Sequence, residues 1–244
     1  MKSINLITCI IVLLANSHLS ASTSRMKSSA DVGIGSILLD EATFLNPASS
    51  AFYKIGAIYY QQTKFEPVSN DDKKQRDSST FIASDAKGKV AGSISYQTFG
   101  DLQDSKNISV SISSIVGDRS ATGVSYHYED SSTKSKYITF GVTHAVSDIF
   151  TMGFVVNDPF RAKNNNSNAI IGTQYTYKQF ITLMGDFGTD WKGRFDNKLI
   201  YGGALQFKIF EDLYLRGGLK INNQNKTKIK GFGGSCSSPR FVFN

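Results

Sequence analysis

The chain has 244 residues, 40% of them hydrophobic and 19% charged, with a formal net charge of +7. Four prolines stand against 21 glycines, 17 phenylalanines and 11 tyrosines. That mix suits pleated strands with tight turns and argues against a large helical core. Only two cysteines occur, Cys9 and Cys236, which excludes a disulfide framework or a zinc ribbon. The apolar content excludes disorder, and the positive charge is spread along the chain, so it singles out no acidic partner such as nucleic acid.

In chain order, Lys2 gives a positive start, and residues 4–15 form an apolar stretch interrupted by Asn5, Thr8 and Cys9. Small residues Ser20, Ala21 and Ser22 follow. This is the pattern of a secretory signal peptide spanning residues 1–21 and cleaved after Ala21. The run is too short for a membrane helix, which needs about 20 apolar residues. Cleavage leaves Cys236 as the single cysteine, and an exported chain with so few thiols fits a bacterial envelope.

Residues 22–50 lack a dyad pattern and are expected to form a separate N-terminal segment. They hold Gly33-Ile34-Gly35, the acidic pair Asp40-Glu41, and Asn46-Pro47-Ala48. The glycine pair is not a phosphate loop, because no Lys and no strand-to-helix switch follows. Pro47 fixes φ and lacks a donor, so the chain is stiff and turned before the wall, placed from Ala51 onward.

From there the sequence alternates with period two. Residues 107–116 set Ile108, Val110 and Ile112 against Ser109, Ser111 and Ser113. In residues 136–146, Ile138, Phe140, Val142 and Val146 oppose Thr139, Gly141, Thr143 and Ala145. Phe150, Met152, Phe154 and Val156 share one face of residues 149–156. Residues 199–209 place Leu199, Tyr201, Leu205, Phe207 and Ile209 opposite Gly202, Ala204, Gln206 and Lys208. Residues 213–221 place Leu213, Leu215, Leu219 and Ile221 opposite Tyr214, Arg216, Gly218 and Lys220. A soluble periplasmic β-sandwich also alternates, but its polar face meets bulk water and carries many Lys and Glu. Here that face is small and weakly charged, as in the interior of a barrel whose apolar face meets lipid.

Tight turns at 87–88, 117–120, 147–148, 178–179, 211–212 and 237–240 alternate with longer links. Those links are 66–78, 100–106, 130–135, 161–167, 191–197 and 222–226. Outer-membrane barrels share this asymmetry of short periplasmic turns and longer outer loops. The count comes to roughly twelve strands plus a stub at residues 241–244. Two closures are compatible: twelve strands with a tail, or a chain short of a fourteen-stranded relative, and the second is preferred. Tyr96, Tyr126, Tyr128, Phe187 and Tyr201 fall toward the loop ends, with Tyr175 and Tyr177 near a turn, as interfacial girdles require.

Residues 29–61, with Gly33, Gly35, Asp40, Glu41, Asn46, Pro47 and Ala48 ahead of a first strand, resemble the start of the FadL/TodX-type outer-membrane transporters of hydrophobic compounds. They also resemble relatives of that fold that assist conjugation or secretion. The resemblance implies a fourteen-stranded barrel with the N-terminal segment folded inside as a plug, Asn-Pro-Ala near its end. This chain departs from it with Ser49 where the family usually has Gly, and in being much shorter, which is expected of a divergent relative and, on the fourteen-stranded closure, of one truncated at its C-terminus. No outer loop is long or apolar enough for a greasy substrate groove.

Lys208, Arg216 and Lys220 are expected to form one basic patch in the lumen, since the turn at Glu211-Asp212 brings their strands together. Like charges across a hairpin call for a counter-ion. Asp40 and Glu41 of the plug, or Asp186 on a nearby strand, are the available acids. Catalysis is not expected: His18 leaves with the signal, His127 is placed in the lumen, His144 is placed on the lipid face, and none has a Ser, Cys or acid at a suggestive spacing. No metal cluster and no cofactor is expected. The sequence thus reads as an all-β transmembrane antiparallel barrel of about 12–14 strands, residues 51–244, with a plug at 22–50. Its expected role is a passive outer-membrane channel for small solutes, hydrophobic ones included. The alternative is a structural barrel that docks a protein partner at its loops or periplasmic face.

Overall fold

The computed structural model describes residues 23–37, 42–63, 77–100, 105–131, 134–162, 167–191, 199–210, 213–223 and 226–236. The predicted signal peptide, Asp40, Glu41 and the stub at 241–244 lie outside these residues. Among the described residues the wall has twelve strands: β1 Gly56–Thr63, β2 Ser78–Asp85, β3 Val90–Phe99, β4 Ser105–Ile115, β5 Ser120–Asp130, β6 Ser135–Ala145, β7 Phe150–Asn157, β8 Asn168–Tyr177, β9 Ile181–Asp190, β10 Ile200–Lys208, β11 Leu213–Asn222 and β12 Thr227–Cys236. Each pairs antiparallel with its chain neighbours in one continuous sheet, and β1 and β12 end the order. One sheet is incompatible with the sandwich alternative, which needs two stacked layers.

The two faces of β4 show why the sequence folds this way. Ser105, Asn107, Ser109, Ser111 and Ser113 are buried, whereas Ile108, Val110 and Ile112 are exposed, Ile112 by 54%. A water-soluble sheet does the reverse, burying Ile and exposing Ser. The same inversion recurs around the wall: Phe81, Ile94, Phe140, Val142, Phe154, Ile171, Leu183, Phe187 and Leu219 are all exposed. This is the outward apolar band of a membrane barrel, whose strands alternate apolar-out and polar-in. No helix of the described residues is long and apolar enough to cross a membrane. The crossing is made by strands.

Three expectations need correction. The wall begins at Gly56 rather than Ala51. Ala51 lies in a short 3₁₀ helix, Pro47–Phe52, capped by Asn46, and is buried against Ala48 and Ala121. Pro47 is compatible with a first helical position, where no amide donor is needed, so the stiff turn is a helical one. Strict alternation of short and long links also softens. The links 131–134 and 223–226 at the loop end are as brief as the turn 146–149 at the other. Finally, the apolar row of β7 is interrupted inward: Val155 is fully buried in the interior, and Val156, placed with the exposed set, is only 6% exposed.

Candidate functional site

The inner face of the wall is occupied by residues 23–37 and 42–55. They begin with a five-residue helix, α1 Ser24–Ser28, in which the Thr23 hydroxyl accepts the Met26 N–H at 3.1 Å. α1 packs on β12 and β11. From there residues 29–35 pass β11, β10 and β8, and residues 46–50 pass β6, β5 and β4, with Thr43 reaching across to β3. Ser29 lies against Gly218 of β11, Val32 against Gly202 of β10, and Gly35 against Gly172 of β8. Asn46 reaches Gly141 of β6, Pro47 sits on Gly123 of β5, and the Ser50 hydroxyl shares a hydrogen bond with Ser113 of β4 at 2.7 Å. Thr43 shares one with Ser93 of β3. A segment this short touches so many strands only because the sheet curls around it.

Glycines make this approach possible. A Cβ at Gly172 would lie 2.6 Å from the Gly35 amide nitrogen, one at Gly202 2.6 Å from a Val32 methyl, and one at Gly123 2.7 Å from the Pro47 carbonyl carbon. Gly123 pairs with Gly141, Gly153 with Gly172, and Gly218 with Gly231 across neighbouring strands, so the small positions form a belt. Alternation in the sequence shows that these glycines face inward. That they lie at the level of the inner segment required the cross-strand register.

One registered row crosses the belt: Gly153, Gly172, Asp186, Gly202, Lys220. Asp186, 4% exposed, accepts the Gly33 N–H at 2.9 Å and the Ile34 N–H at 3.1 Å. Lys220 Nζ donates to the Asp31 carbonyl at 2.9 Å, and Thr151 on β7 donates its hydroxyl to the Gly35 carbonyl. Hydrogen bonds to a charged group are roughly twice as strong as neutral ones. Asn46 ties the two arms of the segment together: its Nδ2 donates to the Ile34 carbonyl at 2.9 Å and to Thr143 Oγ1 at 3.0 Å, while its Oδ1 accepts from the Ala48 N–H at 3.1 Å. Apolar contacts fill the rest. Met26, Ile34, Leu45, Val155 and Ile170 make one cluster, Val32, Met184 and Ala204 another.

The four wall charges named from sequence therefore occupy different levels. Lys220 and Asp186 meet the inner segment. Arg216 is buried and donates through Nε to Gln206 Oε1 on β10. Lys208, half-buried, pairs in register with Tyr214 at the turn end, away from Lys220, whose register partner is Gly202. The three cations do not share one level, Asp40 and Glu41 lie outside the described residues, and the Asp186 carboxylate grips backbone of the inner segment. Within the segment, burial pushes the Asp31 carboxyl up, partly opposed by Lys220 and Lys27, and burial pulls Lys27 down.

Toward the loop end the inner face carries a polar ladder that composition does not reveal. Ser109 hydrogen-bonds His127 at 2.8 Å, His127 stacks on Tyr137 with centroids 4.6 Å apart, and Tyr137 donates to Glu129 at 3.0 Å. Thr139 donates to Asn157 and Asn157 to Asn168, at 3.0 and 2.9 Å, and Arg161 pairs with Asp190 at 3.1 Å. Glu129 thus accepts the Tyr137 hydroxyl next to the Ser109–His127 pair. His144 sits on the outer face, bonded to Ser120 at 2.9 Å. Among the described residues no three His, Cys, Asp or Glu groups converge as metal ligands.

Taken together, the molecule is an all-β transmembrane barrel with a polar inner face and an N-terminal segment laid around it. No protein-family model and no curated protein matches the chain. Among solved structures it is similar to the KdgM porin, with 12% identity, a TM-score of 0.48, and coverage of 76% of this chain and 100% of that one. It is also similar to engineered forms of the Rh. blastica porin. One has 14% identity and a TM-score of 0.45, with 68% of this chain covered; a second has 14% identity and 0.45, with 74% covered. The chain spans about half the length of the first of these, 55%. The fold assignment rests on the strand register and the inverted faces of the sheet.

Proposed function

We propose that this protein is an outer-membrane pore, exported by its cleaved signal peptide, whose lumen is held shut by residues 23–52 acting as a plug. The reading is passive and cofactor-free. The observation that carries it is the mode of attachment: from α1 to Pro47–Phe52 the segment meets the wall through hydrogen bonds, small-residue contacts and two small apolar clusters, and its described residues contribute no strand to the sheet. Such contacts can open while the wall stays intact. The apolar cluster of Ile34, Leu45, Val155 and Ile170 inside an otherwise polar face supports small solutes with hydrophobic character. The FadL/TodX-like motif Asn46-Pro47-Ala48 is consistent with this, because Asn46 joins the segment to β6.

Planar-bilayer recording tests the reading. Wild-type protein is expected to show brief, small openings, and Gly172→Leu, which drives a side chain into the Gly35 backbone, a steady conductance. Silence from both, with outer-membrane insertion shown by heat-modifiable migration, would favour the second reading, a closed barrel that docks a protein partner. The filled interior around Val32, Met184 and Ala204 supports that second reading.

A further inference from the structure

The contacts that hold the glycine pair of the inner segment also define which sequence can occupy that stretch of the wall. Four wall contacts hold residues 31–35, and every one ends on a backbone atom: the Asp31 carbonyl on Lys220, the Gly33 and Ile34 amides on Asp186, and the Gly35 carbonyl on Thr151. Apolar side chains are read at two places. Val32 packs against Met184 and Ala204, and Ile34 against Val155 and Ile170. Between them, side chains are refused. Gly33 has φ +141°, which L side chains rarely adopt, and a Cβ at Gly35 would stand 2.6 Å from the Gly172 carbonyl oxygen.

The geometry points to a peptide-recognition site built into β7–β11, selective for an extended apolar-Gly-apolar-Gly stretch and able to take such a stretch from another protein in place of its own. Backbone hydrogen bonds supply grip without regard to sequence, and two alternate pockets supply selectivity, which is how sheet surfaces recognise extended peptides. Asp186 needs no particular side chain from the ligand, while Lys220 also meets the Asp31 carboxyl, so a partner best matches an acid followed by the apolar-Gly-apolar-Gly stretch. The resident segment competes from a high local concentration. A partner peptide therefore occupies the site once residues 31–35 have been weakened or withdrawn.

The test uses full-length Gly35→Ala, whose own segment no longer fits, purified in detergent and checked for folding by heat-modifiable migration. Two fluorescent peptides of residues 29–37 are titrated by anisotropy, one with the natural sequence and one carrying Gly35→Ala. The natural peptide is expected to bind at least about tenfold more tightly, and Asp186→Asn in the receptor to weaken it by about tenfold again. Equal affinity of the two peptides, or no binding to a receptor that migrates as folded, overturns the proposal. Should Gly35→Ala fail to fold, a natural peptide with a photoreactive group at the Val32 position is crosslinked in excess to the wild-type barrel. Labelling of β9 and β10 supports the site, and labelling confined to other strands overturns it. Neither readout involves conductance, so loss of the pore reading would leave this result standing.

Discussion

Asp186 occupies a position where a carboxylate is normally a liability. It is nearly inaccessible, yet two backbone amides and the nearby Lys220 surround it, and buried charges persist only when paired and hydrogen-bonded. Removing its charge should loosen the segment more than removing a cation from the turn end. Asp186→Asn is expected to raise open time in bilayer recordings while Lys208→Gln leaves it unchanged, since Lys208 lies levels away. Asp31 gives a pH prediction. Its folded-state pKa is raised by burial, so its favourable contribution is complete below the unfolded value and is lost as pH rises through the folded one. Asp31→Asn should therefore be more stable than wild type at neutral pH, and the gap should close in acid, as read by urea unfolding followed by Trp191 fluorescence. Of these residues, alternation in the sequence places Lys208, Arg216 and Lys220 inward, but the levels they occupy depend on pairing register. Asp186 as a ligand for backbone amides has no sequence signal, because a carboxylate that binds N–H groups looks like any other acid.

At the scale of the element, β4 is the clearest case of a strand legible in advance. From Asn107 to Ser113 its polar and apolar residues alternate, and burial follows residue by residue. Ile112→Lys puts a cation on the lipid face and should cost up to about 2–4 kcal/mol at the bilayer midplane and less near an interface. Unfolding from lipid vesicles checks this, with Ser111→Ala as the mild inward comparison. β7 is less legible. Val155 faces inward against Ile34 and Leu45, a break in alternation that the sequence displays but that has meaning only once an apolar partner inside is known. The 3₁₀ helix Pro47–Phe52 reads from sequence as a rigid turn for the same reason. A local signal such as Asn-Pro marks a change of direction, whereas the contacts of Ala48 and Ala51 with Ala121 decide its form. The strand count is legible because each strand carries its own pattern. The link lengths are less so, because the last rungs of a strand pair depend on cross-strand hydrogen bonds that polar residues near a loop neither forbid nor demand.

For the molecule as a whole, an inside-out distribution of polarity is the property on which the membrane reading depends. Extraction into mild detergent followed by unheated and heated electrophoresis should give two migrations for the folded and unfolded chain. The wall is also a structure of nearest neighbours, each strand hydrogen-bonded to the next in the chain, while the inner segment supplies contacts of much longer sequence separation, such as the hydrogen bond across 189 residues between Lys220 and Asp31. Contacts of that span slow folding, since a large loop must close before they form. The place where the segment begins on the wall then has a consequence for biogenesis. Residues near the start of the inner segment wait for β12, because Ser28 and Lys27 find Gly231 only when that strand exists. The segment is a mandrel about which the sheet is rolled, and bulky replacements at Gly172 or Gly231 should delay assembly as well as alter the finished barrel, leaving chains stalled with their envelope chaperones.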